Sequence, residues 1–349
     1  MLLSLYCGAG GLDLGFEQAG FQTGLAYDIR PHSINSWNSN RSKKKVGHVA
    51  DIRKLTLDEL DNDFGSRFCP TGVIGGPPCQ SFTNANSHKK ADDPRESLLP
   101  RFFEFALEIH RRRPLEFIVM ENVPEVANSR YGHILAAQIE ELERHGFVCR
   151  YVTLNAQDFS VPQSRKRLIL VALQELTFGG SAWVAPQKSR KIRKVSDAIS
   201  DLPEATLFRR GLLPEQIAHH QNHWCMVPKS RKFTDGSLIP GRGFGRSFKM
   251  LDWNKPSFTV SYGNREVHIH PEGHRRLSVF EAMLLQGFPK SYVLIGNLSE
   301  QITQISEAVP PPLAKAIAHS IAAMRDSSAP QQNNRCVPNG ASSQLEVVV

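Results

Sequence analysis

The sequence predicts an α/β protein whose main part is a doubly wound, mostly parallel sheet. Over the first 175 of 349 residues, strand-like and helix-like stretches alternate, which is the pattern of such sheets. A glycine-rich turn follows the first predicted strand, and polar residues lie at the ends of several others. From Phe178 onward the sequence becomes rich in Gly, Pro and Arg, which predicts a smaller second domain of irregular and β structure.

The predicted elements follow from short apolar runs and from stretches of helical periodicity. Six runs predict strands, at Leu2–Tyr6, Thr23–Tyr27, Gly72–Gly75, Phe117–Met120, Val148–Leu154 and Leu168–Ala172. Helices are predicted between them, at Leu12–Ala19, Ser33–Asn38, Leu98–Arg112 and Tyr131–His145. A further strand is expected to end at Asp51, and helical periodicity returns at Val279–Gln286 and Leu313–Met324.

Size and composition are those of a soluble globular protein with two domains. Hydrophobic residues make up 40% of the chain and charged residues 22%, and no apolar run is long enough to cross a membrane. The first five residues lack a basic region and glycines soon follow, so we interpret them as a strand rather than a signal peptide. We therefore expect a cytoplasmic protein. Six scattered cysteines without a CxxC pair indicate neither a disulfide framework nor a zinc site.

The positive charge of the chain is concentrated in one segment. Residues 177–276 contain 17 Lys or Arg against 8 Asp or Glu, a net charge of +9, whereas the whole chain carries +8. A basic patch confined to one module is typical of nucleic-acid binding, although solvated loops can give the same count. The segment is therefore a candidate nucleic-acid interface.

Reactive and charged side chains lie at the ends of three predicted strands. Cys79 stands in a prolyl turn after the strand Gly72–Gly75, and Glu121 directly follows Met120. Arg165 and Arg167 precede the last predicted strand. Open parallel sheets bind their ligands at the carboxyl edge. A nucleophile, a carboxylate and two guanidinium groups in these places predict an active site.

A glycine turn and two acids predict a second ligand site at the same edge. Gly8, Gly10 and Gly11 stand between the first strand and the first helix, where the backbone can approach a ligand closely. Asp28 and Asp51 end the next two strands. A carboxylate there can hold ribose hydroxyls or can cap a helix. The turn alone does not distinguish one nucleotide-bearing cofactor from another.

In their order and spacing, these motifs resemble the DNA (cytosine-5)-methyltransferases of bacterial restriction-modification systems. The resemblance covers about residues 1–325 and is carried by Leu5-Tyr6-Cys7-Gly8-Ala9-Gly10-Gly11-Leu12, Gly76-Pro77-Pro78-Cys79-Gln80, Glu121-Asn122-Val123, Gln163-Ser164-Arg165-Lys166-Arg167, Arg276-Leu277-Ser278 with Glu281, Gln286-Gly287-Phe288-Pro289 and Ala308-Val309-Pro310-Pro311. It implies a Rossmann-like catalytic and cofactor-binding domain at 1–176 and a target-recognition domain at 177–275. Residues 276–325 would return to pack on the first domain, and 326–349 would form a disordered tail.

The resemblance implies S-adenosylmethionine as cofactor and no metal. The expected contact residues are Tyr6, Gly8, Gly10, Gly11, Asp28, Asp51 and Pro78, with Asp28 at the ribose and Asp51 at the adenine amine. Two departures from the family pattern stand out. Ile29 replaces a common aromatic residue, which weakens stacking on adenine. Ser306-Glu307 replaces Gly-Asn, so an acid stands where the family has an amide.

The implied reaction is methyl transfer to carbon 5 of cytosine. That carbon is a poor nucleophile until the thiolate of Cys79 adds to carbon 6 of the ring. Glu121 is expected to donate a proton or a hydrogen bond to the ring nitrogen. Arg165 and Arg167 can orient Glu121, contact the pyrimidine oxygen or hold a flanking phosphate. A stacked base is out of reach, so the cytosine must be flipped out of the duplex.

Double-stranded DNA is the expected partner, with contacts from Gln80, Ser81, Arg242, Arg246, Thr259 and Arg265. Thr259 belongs to Phe258-Thr259-Val260, which resembles a Thr-Val/Leu signature of family recognition domains. The long polar stretch 80–97 is predicted to close over bound DNA. The resemblance further implies a monomer, a partner restriction endonuclease and no membrane association.

Three other functions agree with parts of the sequence. An RNA cytosine methyltransferase would use the same scaffold, but the basic segment favours duplex DNA. A DNA-binding protein without activity would result if Glu307 disabled the site. A nicotinamide oxidoreductase would explain the glycine turn and leave Cys79, Glu121 and the arginines unused.

Overall fold

The computed structural model describes residues 1–41, 45–78, 97–128, 132–244, 248–259 and 268–328. Its centre is a seven-stranded sheet in the order β3-β2-β1-β4-β5-β7-β6. The strands are β1 (Leu2–Leu5), β2 (Thr23–Asp28), β3 (Gly47–Val49), β4 (Gly72–Gly75), β5 (Phe117–Asn122), β6 (Phe147–Asn155) and β7 (Lys166–Gln174). Of these seven, β7 alone runs in the direction opposite to the other six. The predicted doubly wound, mostly parallel sheet is confirmed.

The order of the strands reverses between β1 and β4. The chain first builds outward through β2 and β3, and then returns so that β4 pairs with the other edge of β1. At such a reversal the loops after neighbouring strands leave in opposite directions and open a crevice at the carboxyl edge. The fold therefore predefines a ligand site beside the ends of β1, β2, β4 and β5.

Helices cover both faces of the sheet. They are α1 (Gly11–Gln18), α2 (Pro31–Ser39), α3 (Leu57–Phe64), α4 (Leu98–Arg112), α5 (Glu125–Asn128), α6 (Gly132–Arg144) and α7 (Glu175–Phe178). Because neighbouring residues of a strand point to opposite faces, Val73 and Ile74 of β4 belong to two different apolar clusters. Helix α4 contributes Phe102 to one cluster, and α1 contributes Phe16 to the other.

The segment after α7 consists of irregular chain and short strands. It contains α8 (Ser196–Ile199), β8 (Thr206–Leu207), β9 (Trp224–Cys225), β10 (Gly243–Phe244), β11 (Phe248–Met250) and β12 (His268–Ile269). Strands β10, β11 and β12 form one small sheet, and β8 pairs with β9. The irregular and β character predicted for this segment is confirmed, while the domain boundaries at 176 and 275 stay a prediction.

Three helices follow and return the chain to the large sheet. They are α9 (Val279–Leu285), α10 (Leu298–Glu307) and α11 (Pro311–Ser328). Apolar residues of α11, such as Leu313 and Ile317, share a core cluster with Phe16 of α1, while the assignment of residues 276–325 to the first domain stays a prediction. Helix α11 continues to Ser328, so residues 326–328 are helical, and assigning them to the tail is wrong. Residues 329–349 lie outside the described part of the chain.

Five helices, α3, α5, α7, α8 and α10, have no counterpart among the predicted elements, and the two longest of them are α3 and α10. Both begin with a capping box, in which the side chains of residues at the N-cap and three positions later each accept a hydrogen bond from the other's backbone. Thr56 and Glu59 form the box of α3, and Asn297 and Glu300 form that of α10. This local signal was sufficient to predict them. None of the helices in the described ranges has the length and apolar content needed to span a bilayer.

Gly15→Ala is expected to destabilise the fold by about 1–3 kcal/mol, because overpacking of a tight contact carries that cost. A Cβ atom at Gly15 would lie 2.5 Å from the carbonyl oxygen of Pro311 and 2.6 Å from the backbone nitrogen of Lys315. Urea unfolding monitored by circular dichroism measures the change. The exposed neighbour Gln18→Ala is the control and should shift the free energy of unfolding by less than about 0.5 kcal/mol. Equal stability of both variants would mean that α1 and α11 do not pack this closely.

Candidate active site

A cavity of about 540 Å³ opens at the carboxyl ends of β1, β2, β4 and β5. Its size is within the range of small-molecule sites. Four carboxylates and four guanidinium groups line it: Asp28, Asp51, Glu121, Glu307, Arg30, Arg53, Arg165 and Arg167. Tyr6, Gly8, Gly11 and Pro78 also lie on its wall. Most of the predicted catalytic and cofactor residues in the described part of the chain therefore share one cavity.

The carboxylate of Asp28 is held by two backbone donors. The N–H of Gly8 donates to Oδ2 and the N–H of Arg30 donates to Oδ1, each at 2.9 Å. Burial at the end of β2 raises the pKa of Asp28, and the two N–H donors oppose that rise. Gly8 reaches the carboxylate from a left-handed conformation with φ of 53°, which glycine adopts without strain. The turn after β1 is thus hydrogen-bonded to the acid that ends β2.

The two remaining glycines of this turn have different surroundings. A Cβ atom at Gly11 would overlap the carbonyl oxygen of Val309 and would lie 3.1 Å from the ring of Phe288. A Cβ atom at Gly10 would lie 2.6 Å from the indole of Trp37, behind the turn. Gly11 lines the cavity and Gly10 does not. Gly10 therefore acts through the shape of the turn, and its predicted cofactor contact stays a prediction.

Asp51 also lines the cavity and already has a cationic neighbour. Arg53 donates from Nη2 to Oδ2 of Asp51 at 2.6 Å and from its backbone N–H to Oδ1 at 3.1 Å. Hydrogen bonding from Arg53 lowers the pKa of Asp51. The residue after Asp28, Ile29, is 57% exposed and also lies on the cavity wall. An exposed apolar side chain there can pack against a flat ring.

Glu121 and Arg167 form an ion pair at the ends of the adjacent strands β5 and β7. Arg167 Nε lies 2.7 Å from Glu121 Oε1, and both side chains are largely buried. A Cβ atom at Gly76 would lie 3.1 Å from Glu121 Oε2, so the glycine leaves room for that oxygen. The pair follows from antiparallel pairing, because Glu121 faces Ile169 and Arg167 lies two residues away on β7.

Arg165 is 1% exposed and connects the strand β7 to the helix α10. Its Nη2 donates to the carbonyl oxygen of Ser306 at 2.8 Å, and its backbone N–H donates to Asn155 Oδ1 at 2.9 Å. On the other side of the cavity, the amide of Asn122 donates to the carbonyl oxygen of Pro77 at 3.2 Å. That bond ties the prolyl turn to the end of β5.

Five predicted site residues lie outside the described residues, namely Cys79, Gln80, Ser81, Arg246 and Arg265. Residues 80–96 of the predicted closing loop lie outside them too. Pro78 is the last described residue before Cys79, and it lines the cavity. The chain therefore enters the undescribed stretch from the wall of the site.

The segment after α7 contacts the residues that directly precede Arg165, which lines the cavity. The N–H of Ser164 donates to the carbonyl oxygen of Ser257 at 2.9 Å, and the N–H of Ser257 donates to that of Pro162 at 2.9 Å. The hydroxyl of Thr259 donates to the carbonyl oxygen of Ser164 at 2.7 Å. Thr259 thus holds its segment next to the residue before Arg165. Arg242, in contrast, is exposed near β10. Their predicted DNA contacts stay predictions.

Three residues with side chains that can bind a metal come together outside the cavity, namely His270, Glu272 and His274. His274 Nε2 lies 3.0 Å from Glu204 Oε1, and the buried Arg275 pairs with both Glu204 and Glu281. These side chains belong to a polar network at the entrance to α9.

Several residues of the cavity wall were missed by the sequence analysis. Arg30 and Arg53 each stand two positions after a predicted acid, a spacing that places them beside it in a turn. The ion pair between Arg30 and Glu307 joins residues 277 positions apart. No local pattern could have found that pair.

The fold and the cavity define a class of protein: a doubly wound α/β protein with a cavity at the carboxyl edge of its sheet, lined by a buried carboxylate–arginine pair. A family model described as C-5 cytosine-specific DNA methylase matches residues 1–323. The chain belongs to this family and is a DNA (cytosine-5)-methyltransferase.

Similar proteins extend over most of the chain. The Type II methyltransferase M1.HphI of Haemophilus parahaemolyticus is 33% identical over 333 residues, covering 92% of this chain and 86% of that protein. M.FnuDI of Fusobacterium nucleatum, also a Type II methyltransferase, is 29% identical, covering 92% and 93%. The fold is similar to that of the S. pombe Dnmt2 methyltransferase, with a TM-score of 0.62 at 18% identity, covering 93% of this chain and 98% of that one.

Proposed function

We propose that this enzyme transfers a methyl group from S-adenosylmethionine to carbon 5 of a cytosine flipped out of a specific double-stranded DNA sequence. The observation that carries the proposal is the shared cavity. Asp28 and the glycine turn line one part of it, and the Glu121–Arg167 pair lines another. A methyl donor and a pyrimidine can therefore be bound side by side.

The residues present fit S-adenosylmethionine. The carboxylate of Asp28 is oriented by Gly8 and Arg30 and can accept hydrogen bonds from ribose hydroxyls. The turn at Gly11 has no room for a side chain, and the exposed Ile29 offers an apolar surface to the adenine. Asp51 can accept from the adenine amine while it keeps its bond to Arg53. When bound, the cofactor supplies an electrophilic methyl group.

The chemistry at the cytosine requires a nucleophile and a proton donor. Cys79 adds through its thiolate to carbon 6, which moves electron density toward carbon 5 and the ring nitrogen. Glu121 donates a proton to that nitrogen, and Arg167 holds the carboxyl group in place through Oε1. After methylation, carbon 5 loses its proton to solvent or a base, the electrons of that C–H bond re-form the C5–C6 double bond, and the thiolate leaves carbon 6. The ring nitrogen returns its proton to Glu121, which restores the enzyme.

The experiment that tests this function is a tritium-transfer assay with S-adenosyl-[methyl-³H]methionine on duplex DNA and, in parallel, on tRNA. We expect label in DNA, and digestion of that DNA should release 5-methylcytosine. Label confined to RNA, or in another base, would overturn the proposal. Absence of any covalent adduct with 5-fluorocytosine DNA would favour the alternative of a DNA-binding protein without activity.

A protective role in restriction-modification is supported by the relatives, which are named Type II methyltransferases. Plasmid DNA from cells that express the enzyme should resist one restriction endonuclease of a panel. Bisulfite sequencing of the same plasmid should show a single methylated motif. Methylation without a fixed sequence context would contradict this role.

The basic segment is proposed to bind the DNA backbone, with Arg242 as one contact. Its exposure near β10 supports this placement. Arg242→Ala is expected to weaken DNA binding and to lower the slope of log K against log salt by about one. Fluorescence anisotropy with a labelled duplex measures both. The control is Arg144→Ala, because Arg144 is an exposed arginine on α6. An unchanged salt slope for Arg242→Ala would show that Arg242 does not contact a phosphate.

A further inference from the structure

Arg30 and Glu307 form a two-pronged ion pair across the mouth of the cavity. Nη2 of Arg30 donates to Oε1 of Glu307 at 3.0 Å, and Nη1 donates to Oε2. Arg30 is the N-cap residue of α2, and Glu307 is the last residue of α10. Both line the cavity. The pair therefore connects two elements that are distant in sequence at the edge of the proposed cofactor site.

The same arginine also holds Asp28. While its guanidinium group pairs with Glu307, its backbone N–H donates to Asp28 Oδ1 at 2.9 Å. Displacement of the guanidinium group would disturb the turn that contains this N–H. The position of Asp28, the proposed ribose ligand, is thus coupled to an ion pair with α10.

Glu307 needs a cationic partner because it lies at the carboxyl end of the helix α10. The carboxyl end of a helix carries partial negative charge, so an acid in the last turn is unfavourable unless a cation compensates for it. Arg30 supplies that cation, and Arg165 Nη2 meets the carbonyl oxygen of the adjacent Ser306 at 2.8 Å. Two guanidinium groups, one from each half of the site, therefore neutralise the end of α10.

We propose that Arg30 and Glu307 are positioning residues for the cofactor, a matched pair that holds Asp28 in the geometry that binds ribose. The inference rests on the proposed cofactor S-adenosylmethionine. An acid at position 307 is tolerated because Arg30 accompanies it. Loss of Arg30 leaves an unpaired carboxylate beside Asp28 at the mouth of the cavity, and loss of Glu307 leaves the turn at Arg30 without its anchor.

The opposing interpretation is an ordinary surface ion pair. The two side chains are 31% and 42% exposed, and pairs with such exposure often contribute nothing measurable to stability. Stability therefore does not distinguish the two interpretations, but cofactor affinity does. The pair at Arg144 and Glu141 on α6 is similar in type and lies on an outer helix, which makes it a matched control.

The test is a double-mutant cycle on cofactor affinity, measured by isothermal titration calorimetry with the full chain and no DNA. We expect Arg30→Gln to raise the Kd for S-adenosylmethionine about tenfold and Glu307→Gln about threefold. The double variant should be about tenfold weaker rather than thirtyfold, because the two residues act through one contact. In steady state, KM for the cofactor should rise in parallel, with kcat at saturating cofactor within about twofold of wild type.

Arg30→Lys is the conservative variant, which keeps the charge without the two-pronged contact, and it should have an intermediate Kd. It also provides a readout if Arg30→Gln lowers the melting temperature. Glu141→Gln and Arg144→Gln should leave the Kd unchanged. Wild-type affinity in all Arg30 and Glu307 variants would overturn the inference while the proposed function stands. Failure of the wild type to bind S-adenosylmethionine would overturn both.

Discussion

Cys79→Ser is expected to abolish methyl transfer, with a loss of about 10⁴-fold or more in kcat, as for enzymes that lose their nucleophile. A serine hydroxyl is far less acidic than a thiol, so it supplies almost no anionic nucleophile near neutral pH. DNA binding should persist, because the change removes a reactive atom and little volume.

The residues before Cys79 give this expectation its structural basis. Pro78 lines the cavity, and the bond from Asn122 to the carbonyl oxygen of Pro77 fixes the turn that precedes the cysteine. Tritium transfer measures turnover, and an electrophoretic mobility shift measures binding. Cys69→Ser is the control, because Cys69 lies before β4 and outside the cavity wall. Near-normal methylation by Cys79→Ser would exclude it as the nucleophile.

Glu121→Gln is expected to lower kcat by about 10²–10⁴-fold, the range for a lost general acid. The amide has the same shape, and its oxygen can still accept from Arg167 Nε, so the local packing should survive. It cannot transfer a proton to the ring nitrogen. The variant therefore separates proton donation from positioning.

Single-turnover methylation with saturating DNA measures this effect at the chemical step. The Kd for S-adenosylmethionine should stay within about twofold of wild type, since the affected atom serves the base and not the cofactor. Glu125→Gln, an exposed acid on the adjacent helix α5, is the control and should be fully active. Wild-type kcat in Glu121→Gln would mean that another group supplies the proton.

Much of this site could be predicted from the sequence because parallel strands end at one edge. Glu121 and Asp28 lie at the ends of separate strands, and alignment of those strands brings both into one cavity. Short apolar runs in the sequence predict the strands, and the residues just after these runs are therefore candidate site residues. Arg167 could be predicted in the same way, because it stands at the start of the strand β7, which pairs with β5.

Other features depend on contacts that a linear pattern does not contain. The Arg30–Glu307 pair and the bond from Thr259 to Ser164 each join segments far apart in the chain. Gly10 shows the same limit, since this glycine of the binding motif lies next to Trp37 and is not part of the cavity wall, and its cofactor contact stays a prediction. A motif gives the type of residue that a turn requires, but neighbours from other elements decide which atoms reach the ligand.

The packing of α11 on α1 has a consequence for biosynthesis. The ribosome makes α1 before the segment that follows α7, but the apolar partner of α1, Leu313, emerges only after that whole segment. Until then, Phe16 and its neighbours have an incomplete cover. The core around α1 therefore cannot be completed before α11 has been synthesised, and a message truncated before α11 should yield a polypeptide prone to chaperone capture and degradation.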